Sequence, residues 1–215
     1  LRRLFPAGRN AGGVSIVVDP NDANLVLVAG LAENGWSPLV GNKDGIYRTT
    51  NGGDDWQLVQ PETYYHMAST FGRLFAFAGV STVYAATHDT GMLKSVDRGA
   101  TWTNLVPHSV TGRITHVELD PGHDGSVLIA CARGLRRVTD RGATYEITTL
   151  GAGLPSVKVT AVHPTNPAIV FAIGEDANVY KSTNGGANFS VNFTNPAAGK
   201  RAFQMTMSAA DPNYI

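Results

Sequence analysis

Charge is scarce in this 215-residue chain and shows no excess of either sign. Charged residues make up 16% of the sequence, and 17 lysine and arginine residues balance 17 aspartate and glutamate residues. Proteins that bind nucleic acids or anionic membrane surfaces do so through an excess of basic residues. The composition therefore argues against a nucleic-acid partner.

Long apolar runs are absent as well. The longest, at residues 14–18, 25–31 and 74–80, are far shorter than the roughly 20 residues that a helix needs to cross a bilayer, so we expect no membrane insertion. The single cysteine, Cys131, excludes an internal disulfide and lies in an apolar run, where we expect a buried thiol. The six histidines show no metal-ligand spacing, and we predict neither a metal nor a cofactor.

A short segment recurs four times, and each copy is here called a box. The best copy, at residues 94–102, reads KSVDRGATW; the others read RTTNGGDDW (48–56), RVTDRGATY (137–145) and KSTNGGANF (181–189). The aspartate or asparagine of the box falls at positions 51, 97, 140 and 184, which gives spacings of 46, 43 and 44 residues. A repeat of this period indicates an array of units that each contain one small sheet.

The runs between the boxes predict four strands in each unit. In the first unit, two apolar runs flank an Asp-Pro-Asn-Asp turn at residues 19–22, and two alternating runs flank the box turn. A four-stranded meander buries its faces when several such units are arranged around an axis. The sequence therefore predicts an all-β fold, a β-propeller of four-stranded antiparallel blades.

The propeller is expected to be a single array over residues 1–215. We place four complete blades and a fragment at either end, which predicts a ring of six to eight blades in total. The second blade is the least regular, because its first strand fits either residues 67–71 or residues 74–77. The predicted segments are the last strand of a preceding blade at 1–5, blades at 14–60, 67–106, 113–150 and 157–194, and the start of a further blade at 203–215.

The polar residues that the boxes share are predicted to be structural. A short acceptor side chain in a turn bonds nearby backbone N–H groups, and the glycine two residues later supplies a positive φ. Asparagine replaces aspartate in two copies, and an amide can hold a turn but cannot perform acid–base chemistry. This prediction covers Asn51, Asp97, Asp140 and Asn184. The aromatic residue that ends each box is expected to pack between neighbouring sheets.

The boxes resemble those of the Asp-box propellers, and the resemblance covers nearly the whole chain. This group includes sialidases, sortilin-type receptors, photosystem-assembly propellers and xyloglucanase-type glycoside hydrolases. The combination of an Asp-Pro-x-Asn turn, a following apolar strand and the box looks most like the xyloglucanase and sortilin branch. The resemblance implies a secreted, periplasmic or cell-surface protein, and it is specific for fold rather than for activity.

The resemblance to xyloglucanases also implies candidate catalytic carboxylates. Those enzymes carry an Arg-Thr-Asp-x-Gly-Gly segment with a catalytic aspartate, and the nearest segment here is THDTG at residues 87–91, which contains Asp89. It lacks the arginine and the second glycine. Glu175 and Asp176 lie in the equivalent loop of the fourth blade.

Ligand-binding residues are expected in the loops that the repeats do not share. The resemblance implies that the connections between second and third strands, and those between successive blades, gather over one face. The longest connection contains Trp36, and the next contains Tyr64, Tyr65 and His66, while His88 lies beside Asp89. Exposed aromatic rings stack on sugars or anchor protein partners, although Trp36 could equally fill a blade junction.

Three functions therefore stay open at this stage. The first is a binding propeller that presents these loops to a polysaccharide or a protein. The second is a xyloglucanase-like endo-glucanase with carboxylate acid–base catalysis. The third is a scaffold for protein assembly.

Overall fold

The fold consists of sixteen strands and one short helix within the residues that the structure describes. The computed structural model describes residues 12–31, 45–61, 74–87, 90–151, 154–196, 205 and 207. The strands form four separate sheets of four strands each, and every sheet is an antiparallel meander in which sequential strands pair. We call the sheets blades one to four in chain order.

The strand boundaries repeat closely from blade to blade. Blade one contains β1 (Gly12–Asp19), β2 (Asp22–Leu31), β3 (Gly45–Thr49) and β4 (Gln57–Pro61). Blade two contains β5 (Phe75–Ala78), β6 (Thr82–Ala86), β7 (Gly91–Ser95) and β8 (Thr103–Pro107). Blade three contains β9 (Ile114–Leu119), β10 (Ser126–Cys131), β11 (Gly134–Asp140) and β12 (Tyr145–Thr149). Blade four contains β13 (Val157–Val162), β14 (Val170–Gly174), β15 (Val179–Ser182) and β16 (Ser190–Phe193).

The blades are arranged with their first strands towards one another. Contacts join β1 to β5, β5 to β9 and β9 to β13, so that the first strands converge and the fourth strands lie outermost. This is the β-propeller architecture that the sequence predicted. For the first strand of blade two, the structure has β5 at Phe75–Ala78, close to the second alternative; residues 67–71 lie outside the described ranges.

The hydrophobic core lies between the blades. Side chains alternate across each strand, so neighbouring residues of one strand pack against different blades. On β10, Ile129 belongs to the apolar cluster that joins the first three blades, whereas Leu128 belongs to the cluster shared with blade four. Both side chains are fully buried, and burial of one such side chain contributes about 1.5–3 kcal/mol. Cys131 is buried at the end of the same strand, where burial raises the pKa of its thiol.

Three of the four boxes form the same network of hydrogen bonds. In the second box, the Ser95 hydroxyl donates to Asp97 Oδ1 (2.7 Å) and accepts from the Gly99 N–H (2.8 Å), while Asp97 Oδ1 also accepts from the Thr101 N–H (2.8 Å). The Trp102 ring N–H closes the turn by donating to the Gly99 carbonyl (3.1 Å). The corresponding groups of the first and fourth boxes are Thr49, Asn51, Gly53 and Asp55, and Ser182, Asn184, Gly186 and Asn188.

The third box departs from this network because it lacks the hydroxyl residue two positions before the aspartate. Val138 stands there and is buried in the core. Asp140 Oδ1 accepts from the Gly142 N–H (2.8 Å), and Asp140 Oδ2 accepts from the Tyr84 hydroxyl (2.7 Å) and pairs with Lys94 Nζ (2.6 Å) of blade two. In this box the aspartate therefore also joins two blades.

In blades one to three, a cation three residues before the box aspartate or asparagine links the blade to the next one. Arg48 Nε donates to the Arg98 carbonyl (3.1 Å), and Arg137 Nη2 donates to the Gly185 carbonyl (2.7 Å). Each accepting residue directly follows the Asp or Asn of the next box. Lys94, at the same repeat position in blade two, reaches Asp140 instead. We call these contacts the interblade links.

The box carboxylate gives a prediction for acid stability. Burial raises the pKa of Asp97, but hydrogen bonds from Thr101 and Ser95 outweigh it and hold the pKa at about 2, below the ordinary 3.8. Because the folded-state pKa is the lower one, this stabilisation is fully present above about pH 4 and is lost as the pH falls through about 2. Asp97→Ala should lower the free energy of unfolding by about 2 kcal/mol at pH 7 and by much less at pH 2, measured by urea denaturation.

Asp97→Asn is the matched control, because Asn51 and Asn184 fill the same position in other blades. It should keep most of the stability at pH 7 and lose the pH dependence that comes from this group. Equal destabilisation by Asp97→Ala at both pH values would contradict the assigned role of the carboxylate.

A buried and an exposed ion pair give a second, paired prediction. Arg137 Nε donates to Asp120 Oδ2 at 2.6 Å, and their side chains are 13% and 2% exposed, whereas the Arg141–Glu146 pair is 53% and 66% exposed. Arg137→Leu should destabilise the chain by about 2–3 kcal/mol, because it leaves a buried carboxylate and an interblade link unpaired. Arg141→Leu should change stability by less than about 0.5 kcal/mol. Similar losses for both variants in thermal unfolding would refute this difference.

Candidate functional site

The connections opposite the boxes gather at one edge of the blades, which we call the loop face. In a meander, the connections between second and third strands and those between blades leave from the opposite edge to the box turns. Backbone bonds tie these connections together: the Ala132 N–H donates to the Arg113 carbonyl (2.8 Å), and the His108 N–H donates to the Thr90 carbonyl (3.3 Å). Three connections of blades two and three thus meet here.

A short helix, α1 (His108–Thr111), forms the connection from blade two to blade three. Pro107 begins it with φ −63°, and Gly112 ends it with φ 63°, its N–H donating to the His108 carbonyl (2.7 Å). The sequence reasoning placed only a loop here, although Pro107 and Gly112 are typical of helix ends. The His108 Nδ1 atom is buried in this turn and has no hydrogen-bond partner within the described ranges.

Glycine opens the third strand of blades one and two at the loop face. A Cβ atom on Gly91 (φ 103°) would lie 2.2 Å from the Val106 carbonyl oxygen, and one on Gly45 would lie equally close to the Gln60 oxygen. Only glycine allows this close approach of two strands. In blade four the equivalent position is Asn178, and the loop closes there in another way.

Asp176, a candidate catalytic carboxylate, closes that loop. Asp176 Oδ2 accepts from the Tyr180 hydroxyl and from Asn178 Nδ2 (2.9 Å), and Asp176 Oδ1 accepts from the Asn178 N–H (3.2 Å). Burial raises the pKa of Asp176, but these hydrogen bonds outweigh it and hold the pKa below its ordinary value. A carboxyl held ionised in this way is poorly suited to donate a proton as a general acid. Its neighbour Glu175 is exposed.

Two arginines stand at the loop face without carboxylate partners among the described residues. Arg133 Nη2 donates to the Ser109 carbonyl of α1 (3.3 Å), and Arg136 Nη2 donates to the Arg133 carbonyl (3.3 Å). Arg136 Nη1 donates to the Thr149 hydroxyl, and Arg136 Nε is buried without a partner. The sequence reasoning missed this pair; the signal was an arginine in β11 at a repeat position that is apolar or aromatic elsewhere.

The other predicted site residues lie outside the described ranges. These are the catalytic candidate Asp89 and the ligand-binding candidates Trp36, Tyr64, Tyr65, His66 and His88. They stay predictions. Thr87 and Gly91, which flank two of them, are held at the loop face by bonds from the Thr87 N–H (2.9 Å) and hydroxyl (2.8 Å) to the Gly91 carbonyl.

A cavity opens at the opposite edge, between blades two and three, and has a volume of about 270 Å³. Tyr84 and the segment from Leu119 to Ser126 line most of it. Asp120 Oδ2 lies 3.2 Å from His123 Nδ1, and the same oxygen accepts from Arg137. The carboxylate of Asp120 is therefore used in holding the turn and the blade together.

The described residues also bear on metal binding and on membrane insertion. No group of three or more His, Cys, Asp and Glu side chains that could hold a metal ion occurs among them. Over the same ranges, no helix has the length and apolar character needed to cross a membrane.

The chain is similar in sequence to a fungal xyloglucanase. It is 30% identical, over 155 residues, to the probable oligoxyloglucan-reducing end-specific xyloglucanase of Neosartorya fischeri; the match covers 66% of this chain and 18% of that protein. This chain thus corresponds to less than a fifth of that relative's length. No protein-family model matches the chain.

Solved structures with the same fold include glycoside hydrolases and a peptide-binding protein. The GH74 enzyme of Niastella koreensis superposes with a TM-score of 0.58 at 17% identity, covering 83% of this chain and 29% of that one. The GH74 xyloglucanase from Xanthomonas campestris gives 0.52 at 15% identity, covering 84% and 38%. YCF48 bound to D1 peptide gives 0.60 at 15% identity, covering 97% and 60%. At these identities the likeness shows the β-propeller fold alone.

The two neighbouring carboxylates of blade four allow a direct test of their roles. Asp176→Ala should lower the free energy of unfolding by about 1 kcal/mol at neutral pH, because Tyr180 and Asn178 lose their shared acceptor. Glu175→Ala should leave stability within about 0.5 kcal/mol of the parent chain. Urea denaturation of both variants makes the comparison, and unchanged stability of Asp176→Ala would argue against the turn-closing role.

Proposed function

We propose that this chain is part of a β-propeller that binds a polysaccharide at its loop face. The observation that supports the proposal most directly is the similarity of two thirds of the chain to a probable oligoxyloglucan-specific enzyme. The gathering of three connections of blades two and three at one face provides the surface. Xyloglucan oligosaccharides are therefore the first ligands to test.

The predicted aromatic residues are proposed to supply the sugar platforms. Trp36, Tyr64, Tyr65, His66 and His88 all belong to the connections assigned to the loop face. An aromatic ring stacks on the apolar face of a sugar and loses little conformational freedom in doing so. We further propose that the four blades are part of a ring of six to eight blades, and that the protein acts outside the cytoplasm.

A xyloglucanase-like glycoside hydrolase is the second candidate function, supported by the same relative. Glycosidic cleavage needs two carboxyl groups across the scissile bond, about 5–10 Å apart. Asp89 and Glu175 are the proposed carboxylates, because Asp176 is held by Tyr180 and Asn178. A scaffold for protein partners is the third candidate, and the precedent within this fold is YCF48, whose structure contains a D1 peptide.

Calorimetric titration with a xyloglucan oligosaccharide tests the leading proposal. Trp36→Ala should weaken binding about 10-fold or more, because a stacked aromatic platform is lost. Val96→Ala is the control, since Val96 is 62% exposed in the second box, at the edge opposite the loop face; it should leave the affinity unchanged. An absence of binding to neutral and acidic glycans alike would reject the polysaccharide proposal.

Reducing-sugar release from xyloglucan separates the binding and enzyme proposals. If the leading proposal is right, the chain binds the oligosaccharide without releasing reducing ends. Release that is abolished by Asp89→Asn or by Glu175→Gln, with binding retained, would instead establish the hydrolase.

A further inference from the structure

The position of Arg136 in the repeat sets it apart from the other arginines. It stands four residues before the box aspartate, where blades one, two and four have Tyr47, Leu93 and Tyr180. Tyr47 and Leu93 are 1% and 2% exposed, so this position is fully buried in blades one and two. Blade three thus places a guanidinium where its neighbours place a ring or an aliphatic chain.

The contacts of Arg136 do not explain this placement. Its two Nη atoms donate to the Thr149 hydroxyl and the Arg133 carbonyl, both neutral acceptors, and its buried Nε atom has no partner. Arg133 donates only to the neutral Ser109 carbonyl. Within the described part of the chain, neither arginine forms an ion pair.

The arginines at the opposite edge of the blades show the contrast. Arg98 binds Asp19 and Asp22, and Arg137 binds Asp120, so these two charges near the boxes are paired with carboxylates, whereas Arg48 donates to the neutral Arg98 carbonyl. A partly buried cation with an unused donor is unfavourable. Among the described residues no carboxylate pairs with Arg133 or Arg136, so both positive charges are available to an anionic ligand.

We propose that Arg136 and Arg133 form a subsite for the carboxylate of an acidic sugar unit, a uronic acid, on the polysaccharide. This inference rests on the proposed function and narrows its ligand. The guanidinium fork matches a carboxylate through two parallel N–H donors, which a tyrosine or leucine at the same position could not supply. Arg133 is exposed and offers the donors that do not reach Ser109, while the partly exposed Arg136 guanidinium lies against the Arg133 carbonyl and adds a second positive charge.

The neighbouring helix places a further polar group on the same side. Ser109, whose carbonyl accepts from Arg133, directly follows His108, whose Nδ1 atom is buried and unpartnered. Among the described residues, the loop face of blades two and three therefore holds two buried nitrogen atoms without partners, His108 Nδ1 and Arg136 Nε, on either side of Arg133.

The test uses three probes of the same size class: trigalacturonate, a neutral xyloglucan oligosaccharide and triglutamate. Trigalacturonate should bind best, and its affinity should fall when NaCl is raised from low to high concentration, because the contact is ionic. Arg136→Leu should weaken trigalacturonate binding about 10-fold to 100-fold. Arg136→Lys, which keeps the charge but loses the fork, should recover only part of the loss.

Two controls separate lost binding from lost folding. Arg136→Leu reproduces the residue of blade two at this position, so its Tm should equal or exceed that of the parent chain. Arg141→Leu removes an exposed arginine at the box edge and should leave the trigalacturonate affinity unchanged.

The outcomes distinguish this inference from the proposed function. Neutral xyloglucan binding with weaker or Arg136-independent trigalacturonate binding would overturn the uronate subsite and leave the polysaccharide proposal standing. Binding of triglutamate in preference to both sugars would overturn the subsite in favour of an acidic peptide. If none of the three probes binds, both proposals fail.

Discussion

The connection between blades depends on one residue of the box, the residue that directly follows the aspartate or asparagine. This residue is left-handed in three boxes, with φ of 70° at Gly52, 59° at Arg98 and 67° at Gly185. Its N–H bonds to the first hairpin of its own blade, and at Arg98 and Gly185 its carbonyl accepts a link from the preceding blade. A residue held in this left-handed conformation thus fixes a hairpin and a blade junction together. Glycine, at two of the three positions, adopts a positive φ without the steric cost that other residues incur.

The third box shows what happens when this arrangement is altered. Val138 removes the hydroxyl that would hold the aspartate, and β11 extends to Asp140, which pairs with Tyr145. The blade junction is then made by the aspartate side chain with Lys94 and Tyr84. Burial raises the pKa of the Tyr84 hydroxyl, and its bond to Asp140 raises it further, so that it remains a donor. Two different chemistries therefore make equivalent junctions.

The local parts of the fold could be predicted from the sequence. Box spacing and apolar alternation depend on neighbours within one hairpin, and both indicate four-stranded blades. The Lys94–Asp140 contact could not be predicted, because it depends on which side chain of the next blade lies opposite. The helix α1 was missed for a related reason: four residues between Pro107 and Gly112 are too few for a periodic pattern. At the loop face, the sequence made Asp176 a candidate catalytic carboxylate, and the bonds that Tyr180 and Asn178 make to it could not be predicted from the pattern.

The same comparison of repeats separates residues that maintain the fold from those free to serve a ligand. Where a repeat position keeps its chemistry in every blade, as the cations of the interblade links do, the residue is needed for assembly. Asp140 keeps the box carboxylate but makes different contacts, which Lys94 and Tyr84 explain, and Asp176 is held by Tyr180 and Asn178. Arg136 deviates without such compensation, since the packing that Tyr47 and Leu93 provide is lost and no carboxylate replaces it. When a residue departs from its repeat, lowers stability and has no compensating partner among the described residues, this is the strongest sign that it contacts a group outside them.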